Sequence, residues 1–121
     1  MGMNGITAGT IVTHVARRTE VDVDKLLGVL RYADICRARH MAMWIIRRNT
    51  SLSLPQIGAI FNRDHTSVIH ALRKVESAPK LLLASKVVED AYLMEIGAPE
   101  RDERAGRPMP IDKMPPIEGV A

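Results

Sequence analysis

The sequence predicts an all-α fold, a small helical domain that contains a helix-turn-helix. Aromatic residues make up only 3% of the 121 residues, so the core must be built from aliphatic side chains and Met, which favours helices. Apolar residues recur at helical spacing along most of the chain, and two such segments flank the short link FNRD. A chain of this length is expected to form one domain.

The N-terminal part is predicted to form two helices after a flexible segment at residues 1–9. The first helix runs from about Thr10 to Thr19, with apolar residues along one side. The second lies in VDVDKLLGVL, where Asp22 is placed to cap the helix N-terminus. Its apolar edge consists of Leu26, Leu27 and Leu30.

A stronger third helix is predicted from about Ile35 to Asn49. Its buried stripe follows the i, i+3, i+4, i+7 spacing and consists of Ala38, Met41, Ala42 and Ile45. Trp44 falls outside this stripe, as do the basic residues of the segment.

The fourth helix is predicted to begin at SLPQ, residues 53–56. Ser53 forms a capping box with Gln56, and Pro55 lies in the first turn, where its missing N–H costs nothing. Gly58 permits the close approach of a neighbouring helix. The helix can stop at Asn62, because asparagine tolerates the left-handed conformation of a sharp turn.

The segment RDHTSVIHALRKVE, residues 63–76, predicts the fifth helix, with Asp64 as its N-cap. The buried stripe consists of Val68, Ala71, Leu72 and Val75. The opposite side, mostly basic, consists of Thr66, His70, Arg73 and Lys74. Two helices joined by a short turn, with one buried and one basic face, describe a helix-turn-helix.

A sixth helix is predicted over residues 80–96, so that the folded domain spans residues 10–96. It is expected to close the core with Leu81, Leu82, Val87, Val88 and Leu93. Residues 97–121 hold five of the seven prolines among mixed charges and few core residues. This composition predicts a disordered tail.

Positive charge is concentrated in the middle of the chain. Residues 31–74 hold eight Arg or Lys against two Asp, a net charge of +6, whereas the remainder carries −3. This pattern is typical of a folded nucleic-acid reader, although a solvated charged surface explains it equally well. The single Cys36 permits no internal disulfide, no Cys/His spacing indicates zinc, and no apolar run is long enough to cross a bilayer. A cytoplasmic protein is expected.

The cluster at residues 64–67 has four interpretations. A catalytic triad is disfavoured because adjacent residues of one helical turn point about 100° apart. A metal site is disfavoured because His65 and His70 are five residues apart and no Cys joins them. A helix cap by Asp64 is expected in any case. It is compatible with the fourth interpretation, in which the first turn of the helix reads base edges in the major groove of DNA.

The segment RARHMAMWIIRRNTSLSLPQIGAIFNRDHTSVIHALRKVE, from Arg37 to Glu76, resembles the C-terminal DNA-binding domain (domain IV) of the bacterial replication initiator DnaA, a Trp repressor-like helix-turn-helix. With the preceding VDVDKLLGVLR, the resemblance covers about residues 10–95. It implies binding to double-stranded DNA at an AT-rich DnaA box, through the helix after the turn and a minor-groove arginine. No cofactor, metal, membrane or small-molecule substrate is expected from the sequence.

Carried over residue by residue, the resemblance places the minor-groove arginine at Arg31 and backbone or base contacts at Arg39, His40 and Arg47. Phosphate contacts are expected from Arg63, Arg73 and Lys74. The major-groove residues fall on Asp64, His65, Thr66 and Ser67.

This chain departs from the family pattern at several of these positions. Ser67 replaces the usual threonine and lacks its methyl group, and His40 stands where glutamine is common. Ala33 stands where many members have a second loop arginine, and Asp34 adds a negative charge beside it. These departures bear on whether the preferred DNA site is the standard box.

The leading hypothesis is a DNA-binding protein related to replication or transcription, in a bacterial or phage-infected cell. No GxxxxGK[ST] phosphate loop is present, so ATPase activity is not expected. The alternative is a protein-interaction module that keeps the fold and binds a partner through the tail or the N-terminal helix. An enzyme is a third class, for which the sequence suggests no substrate.

Overall fold

The computed structural model describes residues 6–97, which form six α-helices and no strand. The helices are α1 (Ala8–Thr19), α2 (Val23–Leu27), α3 (Ala33–Asn49), α4 (Leu54–Ile60), α5 (His65–Ser77) and α6 (Pro79–Glu95). The predicted all-α fold is confirmed. Apart from Gly97, the tail predicted to be disordered lies outside the described residues, as do residues 1–5. No helix within the described range has the length and apolarity that a membrane span requires.

The core is arranged around α3, which contacts each of the other five helices. Six consecutive residues of α3, 41–46, are buried, because neighbours cover the helix on several sides. Trp44 is therefore buried, although the predicted stripe excluded it, and its indole nitrogen donates a hydrogen bond to Glu76 of α5 at 2.7 Å. A single apolar stripe is the pattern of a surface helix, and α3 is a central one.

The helix N-termini agree with the predicted caps in most cases. Ser53 and Gln56 form the predicted capping box of α4. The start of α1 lies two residues before the predicted Thr10, because Thr7 and Thr10 form a second capping box, which draws Ala8 into the helix. Asp22 occupies the N-cap position of α2, but its side chain makes no capping hydrogen bond, so that prediction was wrong.

Polar side chains attach α6 to the rest of the domain. Buried Glu89 accepts hydrogen bonds from Arg48 Nε at 2.9 Å and from Asn49 Nδ2 at 2.7 Å, both on α3. The Tyr92 hydroxyl lies 2.7 Å from Thr10 Oγ1 of α1. Val87, a predicted core residue, is 56% exposed, so that prediction was wrong. The other predicted core residues of α6 lie against the core as expected, with Leu81 buried and Leu82, Val88 and Leu93 partly buried. Buried Ser85 and Glu89 on the same helix are polar, so apolar periodicity did not predict them.

Candidate nucleic-acid interface

A tight turn sets the position of α5 relative to α4. Asn62 adopts the predicted left-handed conformation, with φ of 59°. The Gly58 carbonyl accepts hydrogen bonds from the backbone N–H of Phe61 at 3.0 Å and of Arg63 at 2.8 Å. A β-carbon at Gly58 would overlap the Arg63 carbonyl oxygen and lie 3.1 Å from the Asp64 carbonyl oxygen. The close approach predicted at Gly58 is thus made by the backbone of the turn rather than by a neighbouring helix.

The first turn of α5 is held by the predicted cap. Asp64 Oδ1 accepts a hydrogen bond from the Ser67 backbone N–H at 3.1 Å and from the Thr66 hydroxyl at 2.8 Å. The hydrogen bond from Thr66, and after it the one from Ser67, lowers the pKa of the Asp64 carboxyl below its ordinary value. The group is therefore ionised at neutral pH. Both of these hydrogen bonds end on Oδ1, and His65 is exposed.

These contacts bear on the catalytic and metal interpretations of the cluster. The Asp64 carboxylate accepts its hydrogen bonds from Thr66 and Ser67 of the first turn of α5 and not from an imidazole. The hydrogen-bond chain of a catalytic triad is therefore not formed by these residues. Across residues 6–97 no group of three or more His, Cys, Asp or Glu side chains is arranged to hold a metal ion.

Cationic side chains from four parts of the fold act on the pKa of Arg39 or of His40, and we call the five residues involved the cationic cluster. They are Arg31 of the α2–α3 loop, Arg39 and His40 of α3, Arg63 of the turn and Lys74 of α5. Burial lowers the pKa of His40, and the positive charges of Arg39, Lys74 and Arg63 lower it further. His40 Nδ1 is buried without a hydrogen-bond partner in the described structure.

Two arginines of α3 are bonded to loop carbonyls. Arg39 is only 3% exposed, and its guanidinium donates to four backbone carbonyl oxygens between Lys25 and Leu30. Arg47 Nη1 donates to the Leu52 carbonyl oxygen at 3.1 Å in the α3–α4 link. Burial lowers the pKa of both guanidinium groups, although arginine stays charged in proteins.

The sequence comparisons agree with this architecture. The family model described as the bacterial dnaA protein helix-turn-helix matches residues 8–75, from the start of α1 to the end of the buried stripe of α5. The chain belongs to this DnaA helix-turn-helix family.

Curated DnaA proteins match the same region. The chromosomal replication initiator protein DnaA of Clavibacter sepedonicus is 41% identical over 78 residues, which is 64% of this chain and 16% of that protein. The initiator of Synechococcus sp. (strain JA-2-3B'a(2-13)) is 45% identical over 71 residues, 58% of this chain and 15% of that protein. The initiator of Cutibacterium acnes is 41% identical over 73 residues, 60% of this chain and 15% of that protein. The chain thus spans about one sixth of the length of these DnaA proteins.

The remaining predicted contact residues lie around the same DnaA-type helix-turn-helix. Arg31 and Lys74 are exposed, whereas Arg63, Arg73 and Ser67 are half-buried. Arg63 Nη1 donates to the Phe61 carbonyl oxygen at 2.6 Å, which holds the guanidinium end of this side chain against the turn.

The sequence reasoning did not single out Tyr32, which follows Arg31 in the loop and is 67% exposed. Its hydroxyl is of a type that contacts DNA phosphates. The available signal was its rarity, because the chain has only four aromatic residues and the other three are buried.

Proposed function

We propose that this chain binds double-stranded DNA at a DnaA-box-like sequence and that it does so without catalysis. The observation that carries the proposal is the capped first turn of α5, where Asp64 and His65 are exposed and Thr66 and Ser67 are half-buried, next in sequence to Arg63 of the cationic cluster. A capped helix N-terminus with short polar side chains is the part of a helix-turn-helix that enters the major groove. The cationic side chains beside it are suited to the phosphates that flank the groove.

In the proposed complex the first turn of α5 reads base edges. Asp64 Oδ2, which the cap does not use, accepts from a cytosine amino group. The Thr66 hydroxyl is bonded to Asp64, so its methyl group remains for contact with a thymine methyl. His65 donates or accepts at a purine edge, and Ser67 contributes a hydroxyl without a methyl.

A second contact is proposed in the minor groove. The exposed Arg31 enters a narrow A·T-rich groove, where the negative potential is strongest. His40, Arg47, Arg63, Arg73 and Lys74 are proposed to face phosphates, with Tyr32 as an added neutral contact. Because each neutralised phosphate releases counterions, the affinity should fall steeply as salt is raised.

Arg31→Ala and His65→Ala are each expected to weaken binding to a box-containing duplex by about tenfold, since one good groove contact contributes about 1–3 kcal/mol. The measurement is a fluorescence-anisotropy titration at near-physiological salt, against a duplex with a standard DnaA box and a scrambled duplex of equal composition. The unaltered chain should prefer the box by about tenfold or more.

Lys86→Ala is the control, because Lys86 is an exposed cation on α6, a helix outside the helix-turn-helix formed by α4 and α5. It should leave the preference unchanged. If Arg31→Ala and His65→Ala both bind the box-containing duplex as tightly as the unaltered chain does, the proposal is contradicted.

DNA affinity is expected to rise as the pH falls from about 7.5 to about 5.5, and His40→Gln should reduce this rise severalfold. In the free protein, burial and then the neighbouring cations lower the pKa of His40, so the ring is neutral at pH 7. A nearby phosphate stabilises the protonated ring and raises its pKa. Binding therefore takes up a proton, and uptake of a proton makes binding tighter at lower pH.

The check is the same anisotropy titration at both pH values, with the unaltered chain and His40→Gln in parallel. His65 is present in both proteins, so the difference between them isolates His40. Identical pH dependence in the two proteins would show that His40 does not face a phosphate.

One observation favours the alternative of a protein-interaction module. Leu83, Val87 and Met94 are exposed on α6, at spacings that place them along one side of that helix. Equal, weak binding to the box and scrambled duplexes would favour this alternative. Deletion of residues 97–121 would then test whether the tail is needed to bind a partner.

A further inference from the structure

The loop that carries Arg31 is tied to the core by one side chain. Arg39 Nε donates to the Leu26 carbonyl oxygen at 2.8 Å. Arg39 Nη2 lies 3.1 Å from each of the carbonyl oxygens of Lys25, Gly28 and Leu30. One guanidinium thus spans the end of α2 and the first part of the loop.

This arrangement suits the chemistry of the guanidinium group and of the carbonyl groups that it binds. The last carbonyl groups of a helix have no partner within the helix, and α2 is only five residues long. A cation at a helix C-terminus also interacts favourably with the helix dipole. The planar guanidinium presents several N–H groups in a fixed fork, which lysine does not offer.

The loop has few other means of staying ordered. Val29 is 78% exposed, and Arg31 and Tyr32 are exposed as well. Fixing the backbone of one residue costs about 1–2 kcal/mol in conformational entropy, and these side chains bury little apolar surface in return. The bonds from Arg39 are therefore the main interactions that define the path of the loop.

We infer that Arg39 is a positioning residue, which holds the α2–α3 loop so that Arg31 is already placed for the minor groove, and that Arg39 does not itself contact DNA. The role in binding rests on the proposed function, whereas the role in ordering the loop does not. Buried Arg39 has its Nε and Nη2 groups bonded to carbonyl oxygens. Its effect on DNA then passes through the side chains of the loop, among which Arg31 carries the charge.

The first test is made on the free protein, by ¹⁵N relaxation of the unaltered chain and of Arg39→Lys, which keeps the charge and removes the fork. We expect the order parameters of residues 28–32 to fall from about 0.85, typical of rigid backbone, to below about 0.6, while those of α5 stay unchanged. Arg37→Lys, at an exposed position of α3, is the control and should leave the loop rigid. A rigid loop in Arg39→Lys, or loss of order in α5 as well, would overturn the inference.

The second test is a double-mutant cycle with Arg31→Ala, measured as affinity for the box-containing duplex. Arg39→Lys should weaken binding about tenfold in the unaltered background and less than about twofold in the Arg31→Ala background. An equal loss in both backgrounds would show that Arg39 acts on DNA independently of Arg31, which overturns the inference.

The two tests separate the inference from the proposed function. If the unaltered chain shows no preference for the box, the proposed function fails, and the relaxation experiment still decides whether Arg39 orders the loop. If the preference is intact and Arg39→Lys changes neither the loop nor the affinity, only the inference fails.

Discussion

Gly58→Ala is expected to lower the free energy of unfolding by about 2 kcal/mol and to reduce affinity for a DnaA-box duplex. The added methyl group would overlap the Arg63 carbonyl oxygen, which is backbone and cannot rotate away. Overpacking of this kind typically costs about 1–3 kcal/mol, and the turn must shift to relieve it. A shifted turn displaces Asp64 and the first turn of α5. The affinity for DNA should therefore fall together with the stability of the protein.

The measurement for Gly58→Ala is thermal unfolding, where about 2 kcal/mol corresponds to a fall in Tm of roughly 10 °C for a domain of this size. Gly9→Ala is the matched control, because a β-carbon at Gly9 would meet only Thr7 Oγ1, at 4.0 Å. In that exposed helical position alanine should stabilise the protein by about 0.5–1 kcal/mol. If the two variants change stability alike, the close approach at Gly58 does not constrain the turn.

Glu89→Ala is expected to lower the free energy of unfolding by about 3 kcal/mol. Its side chain is 4% exposed and accepts hydrogen bonds from Arg48 and Asn49. Removing one partner of a buried ion pair leaves the other charge uncompensated, which typically costs about 3–5 kcal/mol. The lower end applies here because the Arg48 side chain is 27% exposed, so water can partly solvate it.

Urea denaturation provides the measurement for Glu89→Ala. Asp90→Ala is the control, because it removes the neighbouring carboxylate from an exposed position and should change stability by less than about 0.5 kcal/mol. Glu89→Gln keeps an acceptor oxygen and loses the charge, so it should fall between the two. A cost for Glu89→Ala as small as that for Asp90→Ala would show that water replaces the carboxylate.

The helix-turn-helix itself was largely predictable from the sequence because it is specified by local rules. The capping box of Ser53 and Gln56, the left-handed Asn62 and the cap at Asp64 each depend on residues within about one turn. Such short-range signals do not depend on how the rest of the chain packs. The family resemblance, which rests on the same segment, was confirmed by the match over residues 8–75.

Features set by distant partners could not be predicted. The carbonyl groups bound by Arg39 lie 9 to 14 residues earlier in the chain, and only the packing of α2 against α3 brings them together. Sequence alone does not show whether a helical arginine faces solvent or an unsatisfied helix end. The attachment of α6 through Glu89 was missed for the same reason, since Arg48 lies 41 residues away.

The two oxygens of Asp64 have consequences for how the target sequence of such a domain changes during evolution. One oxygen closes the cap of α5, and under the proposed function the other reads a base. A substitution at Asp64 therefore alters folding and target choice together, and selection on either property acts against it. His65 is exposed and makes no hydrogen bond within the described residues, so it can be exchanged at little cost to the fold. New target preferences are expected to arise first at His65, with Asp64 retained.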